Sequence, residues 1–586
     1  MRMGKKYGGI ALIIASIWLT YGSTLWHGYA GDDVIVITQN DRVQDGLSDI
    51  PSFFKNIKSD QTQHRYGYRP ITLITYAAEV EFFGLNPFWH HFFNLVLYTI
   101  LCLLIYYLIG LFFPSAGGIW ALLTVLIFAL HPLHVEVVAN IKSRDEILAM
   151  LFGMLFLLAI FRWLDKPSNK LFTLAIILGV LGFLSKENAI GYVLVGGLLP
   201  WIKPFDTKIR LRGLFPTIIT IAVLIGIYFA SQYSIESNVI ELFEQGRYHE
   251  DRFAANPLLD HGLGSRILNA FMIILLTMKL FIVPHPMVHD YGYQYIAMVQ
   301  EFWDYRWILG LLLLTALIWL GYYLRRQQPA VLFGSGFFIL TILIYLHVPI
   351  PGLDFFGERF AFGPLLGLSL VTVSIGSLVP KRIGLIILAM SLIPLGVLSS
   401  HRAADWDSTL SLFKADEPYL EHCARFHYNY AIHLHYQYYQ ASTEQQKMLR
   451  LKFMHHYERA LEITDRMVVA FLDLGSAYME FGEPEKAKLV FEQCAERYDH
   501  LSTPYYQLGQ FYFSQENFAS ALIYYEKALE RGKSNPVLYY MKAICQLKLG
   551  DLQAARDTLE SGWSYGKENE KYLELMRKLN VAKSIE

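Results

Sequence analysis

Residues 8–33 read GGIALIIASIWLTYGSTLWHGYAGDD, an apolar run that closes on a glycine-flanked corner and a pair of aspartates. A hydrocarbon core takes ~20 apolar residues to cross, so 8–26 predicts a first membrane helix with Asp32 and Asp33 at its far end. The preceding Met1 to Lys6 is basic, and no small-residue cleavage site comes before Trp26, so the segment reads as an uncleaved helix and not as a removable signal peptide. Working outward, further apolar runs follow at 90–113, 117–131, 147–163, 170–184, 189–202, 213–230, 306–325, 328–347, 360–379 and 383–399. With 54% hydrophobic and 17% charged residues in 586, the composition is that of a polytopic membrane protein. The net charge of −1 and the lack of any Lys/Arg tract give no ground for nucleic-acid binding.

Basic residues of short loops mark the cytoplasmic side. Arg2, Lys5 and Lys6, together with the basic stretches at 162–170, 203–212, 325–326 and 381–382, all fall on one side only if the extra apolar run 266–283 does not fully cross. That run is therefore expected to be re-entrant or to lie in the interface, a form tolerated where protein buries it. Eleven crossings then put the N-terminus inside and everything after residue 400 outside the cytoplasm. The longer polar loops, 27–89, 131–146, 231–265, 284–306 and 349–359, collect on the outer face, where any chemistry belongs.

Apolar runs stop near Ser400, and the remainder is polar and rich in Glu, Lys and aromatics. The expected division is a membrane domain 1–400, a linker 401–416 and a second domain 417–586. In the last part Gly475, Gly509 and Ala543 recur at a period of 34 residues, as do Ala487, Ala521 and Ala555, and Phe491, Tyr525 and Leu559. That period and its small and aromatic positions are those of a tetratricopeptide repeat (TPR), a helix pair that stacks into a solenoid whose groove usually holds peptide segments. An earlier unit runs from Tyr430 and Ala431 to Tyr457 and Ala460, its turn expected to be lengthened around Ser442 to Met448. The four cysteines, Cys102, Cys423, Cys494 and Cys545, show no CxxC pairing and read as small core residues.

Ionisable residues beside a membrane demand a reason, because one at a helix centre costs ~2.5–3.5 kcal/mol on insertion scales. Asp32 and Asp33 admit two readings, a solvated loop or helix cap and a fixed catalytic base. His131-Pro132-Leu133-His134-Val135-Glu136 begins where an apolar helix ends; zinc helices prefer His at i and i+4, so polar cavity lining is the better reading and no metal is expected. Arg144-Asp145-Glu146, Lys186-Glu187 and Glu358-Arg359 each suit a structural ion pair, but together, and with Arg69 and Asp290, they describe an anion-binding cavity on one face.

The succession Asp32-Asp33, Tyr68-Arg69-Pro70-Ile71-Thr72, Leu85-Asn86-Pro87 with His91 and Asn94, His131 to Glu136, Ser143-Arg144-Asp145, Ser185-Lys186-Glu187, His289-Asp290-Tyr291 and Gly357-Glu358-Arg359, followed by repeats, resembles the transmembrane and tetratricopeptide-repeat O-mannosyltransferases. The resemblance implies an all-α fold, a GT-C-type bundle of about eleven spans followed by a TPR solenoid. It departs at Gly357, where that family often has Ala, and at Tyr291, where Trp is frequent.

What the resemblance implies chemically is mannose transfer from a polyprenyl-phosphate sugar to Ser or Thr hydroxyls of exported proteins, with inversion. Asp32 or Asp33 would be the general base, Arg144, Lys186 and Arg359 would hold the donor phosphate, and Arg69, His131, His134, Glu136, Asp145, Glu187, Asp290 and Glu358 would line the sugar and acceptor pocket. A lipid monophosphate lacks the diphosphate that nucleotide-sugar enzymes chelate, so no cofactor or metal is expected. The repeats would present acceptor segments. The same fold glycosylating a lipid or envelope glycan, and a non-catalytic membrane scaffold, are the alternatives. Few cysteines and short loops favour a bacterial inner membrane, with the repeats in the periplasm.

Overall fold

The computed structural model describes residues 2–48, 50–54, 67–114, 117–202, 207–244, 253–567 and 569–579. Lys203 and parts of the loops 27–89 and 231–265 lie outside the described residues, and so do the side chains of Arg2, Lys5 and Lys6. The chain divides into two compact units. One comprises Met1–Ser237, Asp260–Tyr291 and Ile296–Glu421; the other comprises Asn238–Leu259, Gly292–Tyr295 and His422–Glu586. Among the described residues every regular element is a helix.

In the first unit all eleven expected apolar segments are helical. Among the described residues eight helices are long and apolar enough to cross a membrane, or nine if a bent pair counts as one span; Asn169–Ser185, Ala189–Trp201 and Pro329–Tyr345 are shorter. The segment expected to be re-entrant or interfacial is one unbroken helix, Leu263–Ile282, and counts among the eight. The break falls instead between Gly118–Ala129 and Pro132–Ala139, which meet at 59°. Pro132 lacks a backbone donor and disfavours helix at His131, and His131 is extended there with its ring accepting from the Leu133 N–H. The bend sets Glu136 and the short turn Ile141–Ser143 ahead of the long helix Arg144–Asp165.

The polar segment before the second span carries a further helix, Pro70–Phe83, with proline in its first turn, where a missing N–H matters least. Its Tyr76 and Ala77 pack with Val36, Ile37, Phe53 and Ile141 in a small buried cluster. That cluster is the floor on which the first long polar loop rests.

The stretch read as a linker is helical. Residues 401–405 complete the last long helix, Lys381–Asp405, and Thr409–Asp416 forms a short helix of the same unit. Arg402 donates to both oxygens of Asp416, at 2.6 and 3.2 Å, and Asp416 also accepts from the His289 backbone N–H at 2.7 Å.

The second unit pairs helices at Ala424–Tyr438/Thr443–Ile463, Val468–Glu480/Pro484–Arg497, Ser502–Ser514/Phe518–Arg531 and Pro536–Lys548/Leu552–Ser561. A Cβ on Gly475 would lie 2.3 Å from the Phe491 ring, and one on Gly509 2.6 Å from the Tyr525 ring. The fourth pair has Leu559 in place of a ring and tolerates Ala543 beneath it, both fully buried. The 34-residue spacing thus encodes a close approach of two helices in each pair.

The first pair differs from expectation. Ser442 and Gln445 form a reciprocal capping box, so residues 443–448 begin the second helix and do not lengthen the turn. Part of the loop between spans joins this unit: Ala254 packs with Ala424, Met467 and Ala470, and the Arg466 guanidinium sits 3.7 Å from the centroid of the Phe253 ring. The four cysteines are buried and unbonded to one another.

Candidate active site

The two adjacent aspartates end in opposite environments. Gly31 has φ +57°, a conformation cheap only for glycine, and it turns the chain so that Asp33 points inward. Asp33 is fully buried; one oxygen accepts the Ala30 N–H at 3.1 Å and the other the Lys142 N–H at 2.7 Å. Asn140 closes the same junction by donating to the Ala30 carbonyl at 3.2 Å. The other side of the corner is tied to the end of the last long helix, through Gly28 N–H to the Asp407 carbonyl at 3.0 Å and Gly31 N–H to the Thr409 hydroxyl at 2.9 Å. Burial pushes the Asp33 carboxyl up to about 7, against the pull of its two backbone donors.

Asp32 faces out. Its side chain is 61% exposed, and one oxygen lies 3.1 Å from the Lys142 ammonium, whose side chain is 13% exposed. Lys142, and then Arg359, hold the Asp32 carboxyl below the ordinary carboxylate range. Arg359 is itself fixed: its guanidinium binds Glu136 and, at 2.5 Å, Asp354, while its backbone N–H donates to Glu136 at 2.9 Å. Asp32, Lys142, Arg359, Glu136 and Asp354 therefore make one mixed-charge cluster around an exposed carboxylate.

A second cluster joins it through Lys142, which also interacts electrostatically with Asp145. Asp145 is paired with Arg69 and, at 3.2 Å, with Lys186; Lys186 also contacts Glu146 at 2.9 Å. Arg69 reaches Glu187 at 3.2 Å. Glu146 accepts from Asn188 at 2.5 Å and from the Tyr345 hydroxyl at 3.2 Å. Two cations and two buried carboxylates balance, with the half-exposed Glu187 at the rim.

Five expected site residues lie elsewhere. Arg144, expected to grip a phosphate, is fully buried with its five N–H donors engaged, by Asn94 at 2.6 Å, Thr75 at 3.1 Å, the His90 carbonyl at 2.9 Å and both oxygens of Glu79. It is a structural hub, since a fork so occupied has no donor for an anion. His131, expected in the pocket, is buried and stacks on Phe281, and both its ring nitrogens are used, toward the Phe281 carbonyl and the Leu133 N–H. His134 is enclosed by Phe128 and Phe362 and meets the Tyr98 hydroxyl at 3.0 Å. Glu358 is buried and accepts from Tyr291 at 3.1 Å. Asp290 is buried beside Tyr291.

The sequence reading passed over Lys142, Asp354 and Glu79. Lys142 was legible as a third cation just ahead of Arg144-Asp145; Asp354 and Glu79 carry no local signal, since their partners are distant in sequence. Among the described residues no group of three His, Cys, Asp or Glu side chains is placed to hold a metal ion.

Comparison with known proteins agrees with both parts of the chain. Residues 72–230 match the family model described as dolichyl-phosphate-mannose-protein mannosyltransferase, and 472–536 and 512–579 match two tetratricopeptide repeat models. The class is thus a multi-pass membrane protein with a mannosyltransferase-type domain and a repeat domain. The chain is similar to the protein O-mannosyl-transferase TMTC1 of Homo sapiens, with 26% identity over 524 residues covering 81% of this chain and 57% of that protein. It is likewise similar to TMTC3 of Homo sapiens (23%, covering 69% and 47%) and to F38B6.6 of Caenorhabditis elegans (22%, covering 73% and 60%). The resemblance to the transmembrane and tetratricopeptide-repeat O-mannosyltransferases is borne out, and the chain spans about half the length of the curated relatives it matches.

Proposed function

We propose that this chain transfers mannose from a polyprenyl-phosphate donor to Ser or Thr hydroxyls of proteins on the non-cytoplasmic face of its membrane. The observation that carries the reading is the exposed Asp32 carboxylate, anchored through Asp33 and flanked by Lys142 and Arg359, in a chain similar to protein O-mannosyl-transferases.

Asp32 is the base and Asp33 the anchor. As the acceptor oxygen bonds to the anomeric carbon, its proton passes to Asp32; the bond from that carbon to the phosphate oxygen breaks, and the electron pair leaves with the lipid phosphate. Attack opposite the phosphate inverts the centre. A positioned base contributes ~10²- to 10⁴-fold. The leaving phosphate needs cationic stabilisation more than a proton, which Lys142, Arg359 and Lys186 are placed to give.

With the N-terminus cytoplasmic and Leu263–Ile282 lying in the interface, as the loop charges favour, the site and the repeats face outward, and the repeat groove receives acceptor segments. Few cysteines and short loops support a bacterial inner membrane. Metal independence rests on the monophosphate leaving group.

The test is transfer of labelled mannose from polyprenyl-phosphate mannose to a Ser/Thr-rich peptide by the purified full chain, with and without EDTA. Activity that survives EDTA and falls by 10²-fold or more in a folded Asp32→Asn variant is expected. Undiminished transfer by that variant refutes Asp32 as base, and inactive wild type with several donors and acceptors favours the scaffold.

A further inference from the structure

Lys142 has a fixed backbone and an ammonium tied to an exposed partner. Its N–H donates to buried Asp33, and the preceding carbonyl, of Ile141, accepts from Tyr76 at 2.7 Å. Its ammonium pairs at 3.1 Å with Asp32, a carboxylate open to any ligand that enters the site, and also acts on buried Asp145. The other cations of this face are held by buried carboxylates or occupied forks: Arg359 by Glu136, Lys186 by Asp145 and Glu146, Arg144 by Glu79.

We infer that Lys142 is a positioning residue shared between two anions: it pairs with Asp32 while the donor site is empty and moves to the donor phosphate when the lipid-linked sugar binds, freeing Asp32 to take the acceptor's proton. The inference rests on the reading of Asp32 as base and adds the order of events. The groups acting on Asp32 are Lys142, Arg359, Asp354 and Asp33. Of these only Lys142 stands against Asp32 as an ion pair at 3.1 Å, so transferring its charge to a phosphate removes the largest influence that weakens Asp32 as a base. No bond is made or broken in this step; one ion pair is exchanged for another. An opposite charge at such range depresses a carboxyl, so release restores basicity only when there is a donor to attack.

The experiment compares pH profiles of the full chain with polyprenyl-phosphate mannose as donor. The profile of kcat/KM for donor reports the donor-free protein, and that of kcat the donor-bound protein. In wild type the acid limb of kcat is expected at higher pH than that of kcat/KM. In Lys142→Gln the two limbs are expected to coincide, and the donor KM to rise on the order of tenfold, the loss of one charged contact to phosphate; Lys142→Arg is expected to restore most of the donor KM. Coincident limbs in wild type, with Asp32→Asn inactive, overturn the exchange and leave the base assignment standing. An active Asp32→Asn overturns both. Unchanged donor KM in folded Lys142→Gln also overturns the exchange. The wild-type comparison needs no variant, so a poorly folded Lys142→Gln does not shield the idea.

Discussion

Replacing Arg144 by Met should damage the fold before it damages catalysis. The guanidinium is fully buried, makes two contacts with Glu79, and accepts no solvent; it also lies 4.5 Å from the Tyr76 ring centroid. Methionine fills much of the volume but leaves Glu79 with the His90 ring at 2.6 Å and no guanidinium, and the Asn94 and Thr75 side chains and the His90 carbonyl without this donor. Removing one member of a buried ion pair costs ~3–5 kcal/mol, because the remaining charge is uncompensated, whereas removing both members together is often close to neutral. With ~2.1 cal/mol/K of unfolding entropy per residue, ~4 kcal/mol lowers the midpoint of a unit of this size by about 5 °C. The assay is thermal unfolding of the detergent-solubilised full chain, with Arg144→Met, Glu79→Leu and the double variant measured side by side. Both single variants should lose stability, and the double variant should lose less than their sum. If Arg144→Met melts like wild type and instead raises the donor KM, the guanidinium is a ligand group and the reasoning from its saturated donors is wrong.

Other outcomes follow from the same geometry. Asp33 is raised by burial to about 7, so the folded protein holds this proton more tightly than the unfolded chain does; its contribution to stability is full below about pH 4 and is lost as pH rises through about 7. The melting midpoint from pH 5 to 8 should therefore carry a downward component that Asp33→Asn removes, and a slope identical in both proteins would contradict it. Gly31→Ala forces a side chain into φ +57°, costs about 1–2 kcal/mol, and should depress transfer more than it depresses expression, read as specific activity. Gly509→Ala drives a Cβ to 2.6 Å from Tyr525; overpacking of this kind costs ~1–3 kcal/mol, and limited proteolysis should cut the repeats sooner while donor KM stays unchanged.

What the sequence made legible follows from what each signal depends on. Apolar runs and the 34-residue period depend on neighbours along the chain, and both were readable: every expected span is a helix, and Gly475 and Gly509 lie under Phe491 and Tyr525. Site residues depend on partners far away in sequence, and there the reading was incomplete. Arg144 and Lys142 stand two positions apart with the same charge, yet one is saturated by Glu79 and Asn94 while the other meets an exposed carboxylate. Nothing local separates them, because Glu79 comes from a helix that the outer loop disguises as polar linker. The 266–283 segment shows the same limit: charge counting favours a segment that is re-entrant or lies in the interface, and the unbroken helix Leu263–Ile282 removes the first of these, while the bend falls at Pro132.

The adjacent aspartates show why a pair is useful at this corner. A base on a loop must be exposed to meet its substrate, yet its position must be fixed to within a fraction of an ångström for proton transfer to be efficient. One carboxylate cannot satisfy both demands. Asp33 spends both oxygens on backbone donors of Ala30 and Lys142, which clamps the first outer loop to the turn that supplies the cation. Asp32, one residue earlier, turns to the open side and meets that same Lys142 through its side chain. On the proposed reading, base, anchor and counter-ion thus share a single junction, and moving any one of them moves the other two.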